Sequence, residues 1–215
     1  MDSGNNHKIQ ILMQSGRFIS VLTALLLLVS SPDLAARGFR FGVEWGISPQ
    51  LYSNTEARFI ADDGYLVDYH RESIGFHVNG SIAGFVGYDV ARRLCLSIHS
   101  GYMGLTEGNN RGVPLTLRLT SYLSENPGIT GSSLFVEGGA FFRSDVPVSG
   151  LGKMAYSYRF NLAPFLFLDF NAGAQFSFSH PSVYDKYAGQ TIEYDRIAFM
   201  RNVNVGLLFS IALLF

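Results

Sequence analysis

Charge is scarce in this chain, and cysteine is nearly absent. Of 215 residues only 15% are Asp, Glu, Lys or Arg, against roughly 25% in ordinary water-soluble domains. The 16 basic and 17 acidic residues leave a formal net charge of −1, so no basic patch for nucleic acid or anionic lipid follows. The single cysteine, Cys95, has no partner for an internal disulfide and reads as a small buried residue. There is one long apolar run, which argues against a bundle of membrane helices. Phosphate-binding loops, Cys-x-x-Cys pairs and nucleic-acid signatures are missing, and no motif for a bound cofactor stands out.

The apolar run is "FISVLTALLLLVS", Phe18 to Ser30, preceded by Lys8 and Arg17 and followed by "SPDLAARGF". A basic start, a short apolar core, a proline and small residues ending at Ala36 describe a cleaved secretory signal peptide over residues 1–36. An uncleaved anchor helix is the alternative, but the run is short for a bilayer core. Removing Lys8, Arg17, Asp2 and Asp33 leaves the net charge of residues 37–215 at −1.

What the chain has in quantity is glycine, aromatic residues and alternation. "NVNVGLLFSIALLF", Asn202 to Phe215, places Val203, Val205, Leu207, Phe209, Ile211, Leu213 and Phe215 on one face of a strand. Seven earlier stretches repeat the pattern: "FRFGVEWGISPQL", "IGFHVNGSIAGFVGY", "LCLSIHSGYMG", "VPLTLRLTSYL", "LFVEGGAFFR", "MAYSYRFNL" and "LDFNAGAQFSF". In "LFVEGGAFFR", Phe135 and Phe141 break the alternation. Eight segments, each close to the ~9–11 residues of a tilted membrane-crossing strand, predict an eight-stranded antiparallel up-and-down barrel over 37–215.

The connections fall into two sets. "DVARR" (Asp89–Arg93), "SENPGITGS" (Ser124–Ser132) and "APFLF" (Ala163–Phe167) are short or moderate; Tyr52–Ser73, Thr106–Gly112, Ser144–Lys153 and Ser179–Arg201 lie at the other end, the first and last being long. Short turns at one end and polar loops at the other suit a transmembrane barrel. "APFLF" is unusually apolar for a solvated turn. In the first long connection, "FIADDGYLVDY" carries an Asp-Gly hairpin signal, so the strands are expected to continue into it.

Alternation alone fits a soluble barrel with an apolar inside or a membrane barrel with an apolar outside. The minor face decides. It carries Gly, Ser, Asn and Thr with a few charges of both signs: Arg40, Glu44, Arg118, Glu137 and Arg159. Such residues suit a crowded interior with paired charges, whereas a wet surface would be rich in Lys, Glu and Asp. Closure also leaves no strand edge unpaired in lipid.

The ending in Phe215 resembles the terminal signature of bacterial outer-membrane barrels, which barrel assembly machinery recognises. "FGVEWGISPQL", "GFHVNG", "SGYMGL", "RGVPLTLRLTSYL" and "LFVEGGAFF" resemble strands of the small outer-membrane β-barrel family in the OmpA/OmpX style. The resemblance implies an outer-membrane location, outer-membrane lipid as surroundings and a monomeric or weakly associating barrel. It does not select among the family's adhesins, stress-response proteins and lipid-modifying enzymes.

Several residues are of types that carry chemistry. His180 and Ser182 in "SHPSVYD", with Asp185 nearby, superficially resemble the histidine–serine pair of the lipid A deacylase family, but Pro181 favours an ordinary loop. His99 and Ser100 point to opposite faces. His77 and His99 face the interior without a third ligand at metal spacing. Glu44 and Glu137 have the interior arginines as natural partners rather than acting as an acid/base pair. Asp62, Asp63, Asp68, Asp185, Glu193 and Asp195 make the long loops acidic, which fits plain solvated loops better than a calcium site. The expectation is therefore a barrel with a plugged, charge-paired interior that displays loops to an external partner. A lipid-directed enzyme or a transport or secretion accessory are the alternatives.

Overall fold

The computed structural model describes residues 38–61, 64–105, 111–123, 130–144, 147–180, 184–185, 190–192 and 196–215. The expected signal peptide over residues 1–36, and Ser182, Asp62, Asp63, Glu193 and Asp195, lie outside them.

Period-two sequence becomes long antiparallel strands: β1 (Phe39–Ile60), β2 (Leu66–Ala91), β3 (Leu94–Gly104), β4 (Arg111–Tyr122), β5 (Gly131–Phe142), β6 (Ser149–Ala163), β7 (Leu166–Ser179), the two-residue strands β8 (Tyr184–Asp185) and β9 (Gln190–Thr191), and β10 (Ile197–Leu214). Eight of them close into a barrel in the order β1-β10-β7-β6-β5-β4-β3-β2, while β8 and β9 pair in a separate small hairpin. The sequence pattern did not announce that hairpin.

Register fixes the shape of the barrel. Starting at Gln50, successive cross-strand partners are Gly206, Gln175, Lys153, Glu137, Arg118, Ser97, Gly87 and then Arg40. One circuit therefore returns to β1 ten residues lower. With ~3.3 Å per residue and ~4.8 Å between eight strands, this stagger implies a tilt of about 40° and a backbone radius of about 8 Å. An interior that narrow is filled by its own side chains.

The outer face is apolar and the inner face polar. Leu115, Leu117, Leu119, Leu134, Val136, Phe209 and Ile211 are exposed on the outside, while Ser97, Thr116, Arg118, Glu137, Asn171, Gln175 and Asn204 are buried inside. Phe135 and Phe141, which broke the alternation, point inward and are buried. Phe135 packs with Ala155 and Leu208, and Phe141 with Met103, Leu105 and Leu151. The Phe141 ring lies where a Cβ of Gly112 would stand, so glycine makes room for it. Aromatic contacts gather near the short-turn end: Phe39 with Tyr88 (5.0 Å), Phe41 with Phe215 (5.8 Å), and Phe160 with Tyr158 (4.8 Å) and Phe170 (5.6 Å).

The segment from Tyr52 to Ser73, a long connection into which the strands were expected to continue, is almost entirely strand. β1 runs to Ile60 and β2 begins at Leu66, joined by a turn in which Gly64 adopts φ 81° and donates to the Ala61 carbonyl. Left-handed backbone is cheap only for glycine, which is why the Asp-Gly signal marks this turn. A bulge between Gln50 and Tyr52 shifts the register. Above it Ala57 and Phe59 turn inward onto Met200 and Ile192, with Val67 and Ile197 against them. Asp68, grouped with the acidic loops by sequence, lies in β2 and pairs with Arg58 at 2.8 Å. At the other end, β2–β3 and β6–β7 are joined by the tight turns Arg92–Arg93 and Pro164–Phe165.

Candidate functional site: the charged interior

Lys153, Glu137 and Arg118 stand side by side on β6, β5 and β4 as direct cross-strand partners. Opposite charges at such positions attract at close range. Arg118 donates from Nε to Glu137 Oε2 at 2.8 Å, Lys153 Nζ to Glu137 Oε1 at 2.8 Å, and Thr116 Oγ1 to Glu137 Oε1 at 2.7 Å. Arg118 Nη2 lies 2.6 Å from Glu137 Oε2 and 2.7 Å from Glu44 Oε2 on β1. The approach to Glu44 is a charge contact, not an aligned hydrogen bond, since neither atom has a bond of good geometry. Glu44 Oε1 accepts from Ser210 Oγ at 2.8 Å, and that hydroxyl accepts from Asn171 at 2.9 Å. The Arg118 guanidinium also lies 3.9 Å from the centroid of Phe135. One buried arginine thus ties β1 to β4 and β5 across the interior, with β6 joined through Lys153.

The other two expected members stand apart from this cluster. Arg40 pairs with Asp89 at 2.7 Å, and Arg159 with Asp169 through two bonds of 2.8 and 2.7 Å. Both guanidiniums flank Tyr122, at 5.4 and 5.3 Å from its ring. The five charges expected as one network are therefore one central cluster and two pairs toward the short-turn end. The sequence reading missed Asp89 and Lys153 because both were assigned to connections, although strands carry them inward. Asp169 alternates with the outward Leu168 and Phe170 in "LDFNAGAQFSF", and that parity was the available signal for it.

Room inside is small. A cavity of about 30 Å³ is lined by Arg40, Cys95, Ser97, His99, Arg118 and Tyr122 among others, and a second of about 10 Å³ by Gln50, Asn79, Gln175 and Asn204. Each is on the scale of one or two water molecules.

Ser97, His99 and Glu44 stand in the order of nucleophile, base and carboxylate, a grouping the sequence did not suggest. Ser97 Oγ is 2.9 Å from His99 Nε2, but Glu44 Oε2 is 3.8 Å from Nδ1, beyond a hydrogen bond. His99 is stacked on Phe85, all three residues are buried, and the neighbouring cavity of about 30 Å³ is too small for an acyl chain. The trio therefore lacks the access that ester hydrolysis needs. Ser100 is exposed while His99 is buried, as opposite faces require. His77 pairs in register with Gln50 and lies far up β2 from Phe85, the partner of His99. Among the described residues no group of three His, Cys, Asp or Glu is placed to hold a metal. His180 follows the end of β7 and is exposed; Asp185 lies in β8.

No family model matches the chain, and no curated protein is significantly similar to it.

Proposed function

We propose that the chain is an outer-membrane β-barrel that displays its long-loop end to an external partner. The observation that carries this reading is the inversion of the two faces, apolar outside and polar with paired charges inside. On β4 the outward residues are apolar from Val113 to Leu119, then comes Ser121, and Leu123 follows just past the strand end; at about 40° of tilt these ten residues span about 25 Å, the height of the apolar band of such barrels. The aromatic contacts near the short-turn end supply the tier that belongs at a lipid–water boundary. The residues before Arg37 fit a cleaved export signal, which N-terminal sequencing of the membrane-inserted protein would test.

A display role is favoured over conduction because the interior is blocked at several levels: by Met103, Leu105, Phe141 and Leu151, by Phe135 beneath Arg118, and by Tyr122 between two arginines. The hairpin of β1 and β2, accompanied by β10 as far as Phe59, rises beyond β3 to β7 and carries Ile60, Tyr65 and Leu66 exposed near its tip, a surface suited to contact outside the membrane. Outer-membrane lipid and the barrel assembly machinery are the partners this location brings; the external partner is open.

The test uses adjacent residues on β4. Single cysteines at Leu117 and Arg118, in a Cys95→Ser background, are labelled with a fluorophore in vesicles containing a lipid-confined quencher. Position 117 should be quenched and 118 spared. The reverse result would overturn the membrane reading.

A further inference from the structure

The apolar exterior is not level around the barrel. One circuit of the register descends ten residues of β1, so each residue along a strand is worth about 2.5 Å of height and each strand to the side about 3 Å. On that scale the upper ends of β3 to β7 finish within about 4 Å of Gln50, which marks the rim. On β4 the first outward charge, Arg111, lies about 2 Å above the rim. On β2 the outward residues Val78, Phe76 and Ile74 stay apolar to about 10 Å above it, and Glu72 follows. Ile74 is 91% exposed. The opposite end slopes the same way. The turns Arg92–Arg93 and Pro164–Phe165 lie four strands apart, hence diametrically opposite, and both stand about 35 Å below the rim. One is doubly basic. The other is apolar, with Phe165 84% and the preceding Leu162 55% exposed.

We propose that the barrel sits in the bilayer with its long-loop end leaning toward β2, so that lipid covers Ile74 and Phe76 above and Leu162 and Phe165 below. This rests on the membrane reading and adds an orientation to it. A level belt would leave both apolar surfaces in water and place two opposite turns of contrary chemistry at the same depth. An offset of roughly 9 Å across a barrel about 26 Å wide, side chains included, corresponds to a lean of about 20°. That lean brings Phe165 up to the lipid boundary and carries Arg92–Arg93 out among headgroups and water. It seats Ile74 at headgroup level rather than deeper. The β2 edge above Ser81 has no strand partner among the described residues, and unpaired backbone is not tolerated in hydrocarbon.

The experiment places nitroxide labels singly at Phe165, Arg92, Ile74, Arg201 and Leu117, in a Cys95→Ser background, with the protein in phosphatidylcholine vesicles. Collision rates with oxygen, which concentrates in lipid, and with a water-soluble nickel chelate are compared. Arg201 is at nearly the height of Ile74, a quarter-turn away. The oxygen-to-nickel ratio should be several-fold higher at 165 than at 92, and higher at 74 than at 201. Equal ratios within both pairs would mean an upright seat and overturn the lean. A dry 165 beside a 74 as wet as 201 would also overturn it and leave the β2 patch to a protein partner. Leu117 separates the two claims: if it is wet, the membrane reading itself fails.

Discussion

Replacing Arg118 with methionine keeps most of the side-chain volume against Phe135 but removes the charge that two buried carboxylates share. Glu137 would keep Lys153 and Thr116, both within 2.8 Å. Among the described residues, Glu44 would keep the Ser210 hydroxyl at 2.8 Å, His99 at 3.8 Å and the more distant charge of Lys153. Glu44 is thus the stranded group, and breaking a buried pair of this kind costs about 3–5 kcal/mol. The expected order follows exposure. Arg40→Met, whose pair with Asp89 is 17–18% exposed, should cost less, and Arg58→Met, in a pair 52% and 68% exposed, under about 1 kcal/mol. The assay is reversible urea unfolding of the vesicle-inserted barrel, followed by tryptophan fluorescence and heat-modifiable gel mobility. With a slope of about 2 kcal/mol per molar, Arg118→Met should lower the midpoint by about 2 M. Adding Glu44→Gln should restore a substantial part, because the stranded charge is gone. If Arg118→Met unfolds within 0.5 M of the parent, or no earlier than Arg58→Met, the cluster is not what holds the interior together.

Two further substitutions probe packing and closure. A Cβ at Gly139 would run into the Leu115 carbonyl and the Thr116 Cα, whereas one at Gly152, on the outer face, meets only a carbonyl oxygen 3.9 Å away. Gly139→Ala should therefore destabilise by about 1–3 kcal/mol and Gly152→Ala by far less, measured in the same urea assay. Phe215 exchanges backbone hydrogen bonds with Phe41 (2.9 and 3.5 Å) and stacks on its ring. Deleting it should reduce the yield of heat-modifiable, membrane-inserted protein; an unchanged yield would argue against a role in closing the β1–β10 seam.

The eight barrel strands, their up-and-down order and the division of residues between two faces were legible in the residues, because a period of two depends only on neighbours along the chain. Parity put Arg40, Glu44, Arg118, Glu137 and Arg159 on one face, and the small-polar, mixed-charge composition of that face assigned it inward. Their partners were not legible. That Arg118 meets Glu44 across the interior while Arg40 and Arg159 turn to Asp89 and Asp169 depends on a ten-residue stagger that accumulates only on closure. The same holds for Phe135 and Phe141, whose size suited either face until the gaps over Ala155, Leu208 and Gly112 claimed them. The strands beyond Tyr52 were anticipated from Asp-Gly, but the bulge that turns Phe59 inward had no signature. Local pattern determines which side of a strand a residue occupies; which residue it meets there is decided by register, a property of the whole ring.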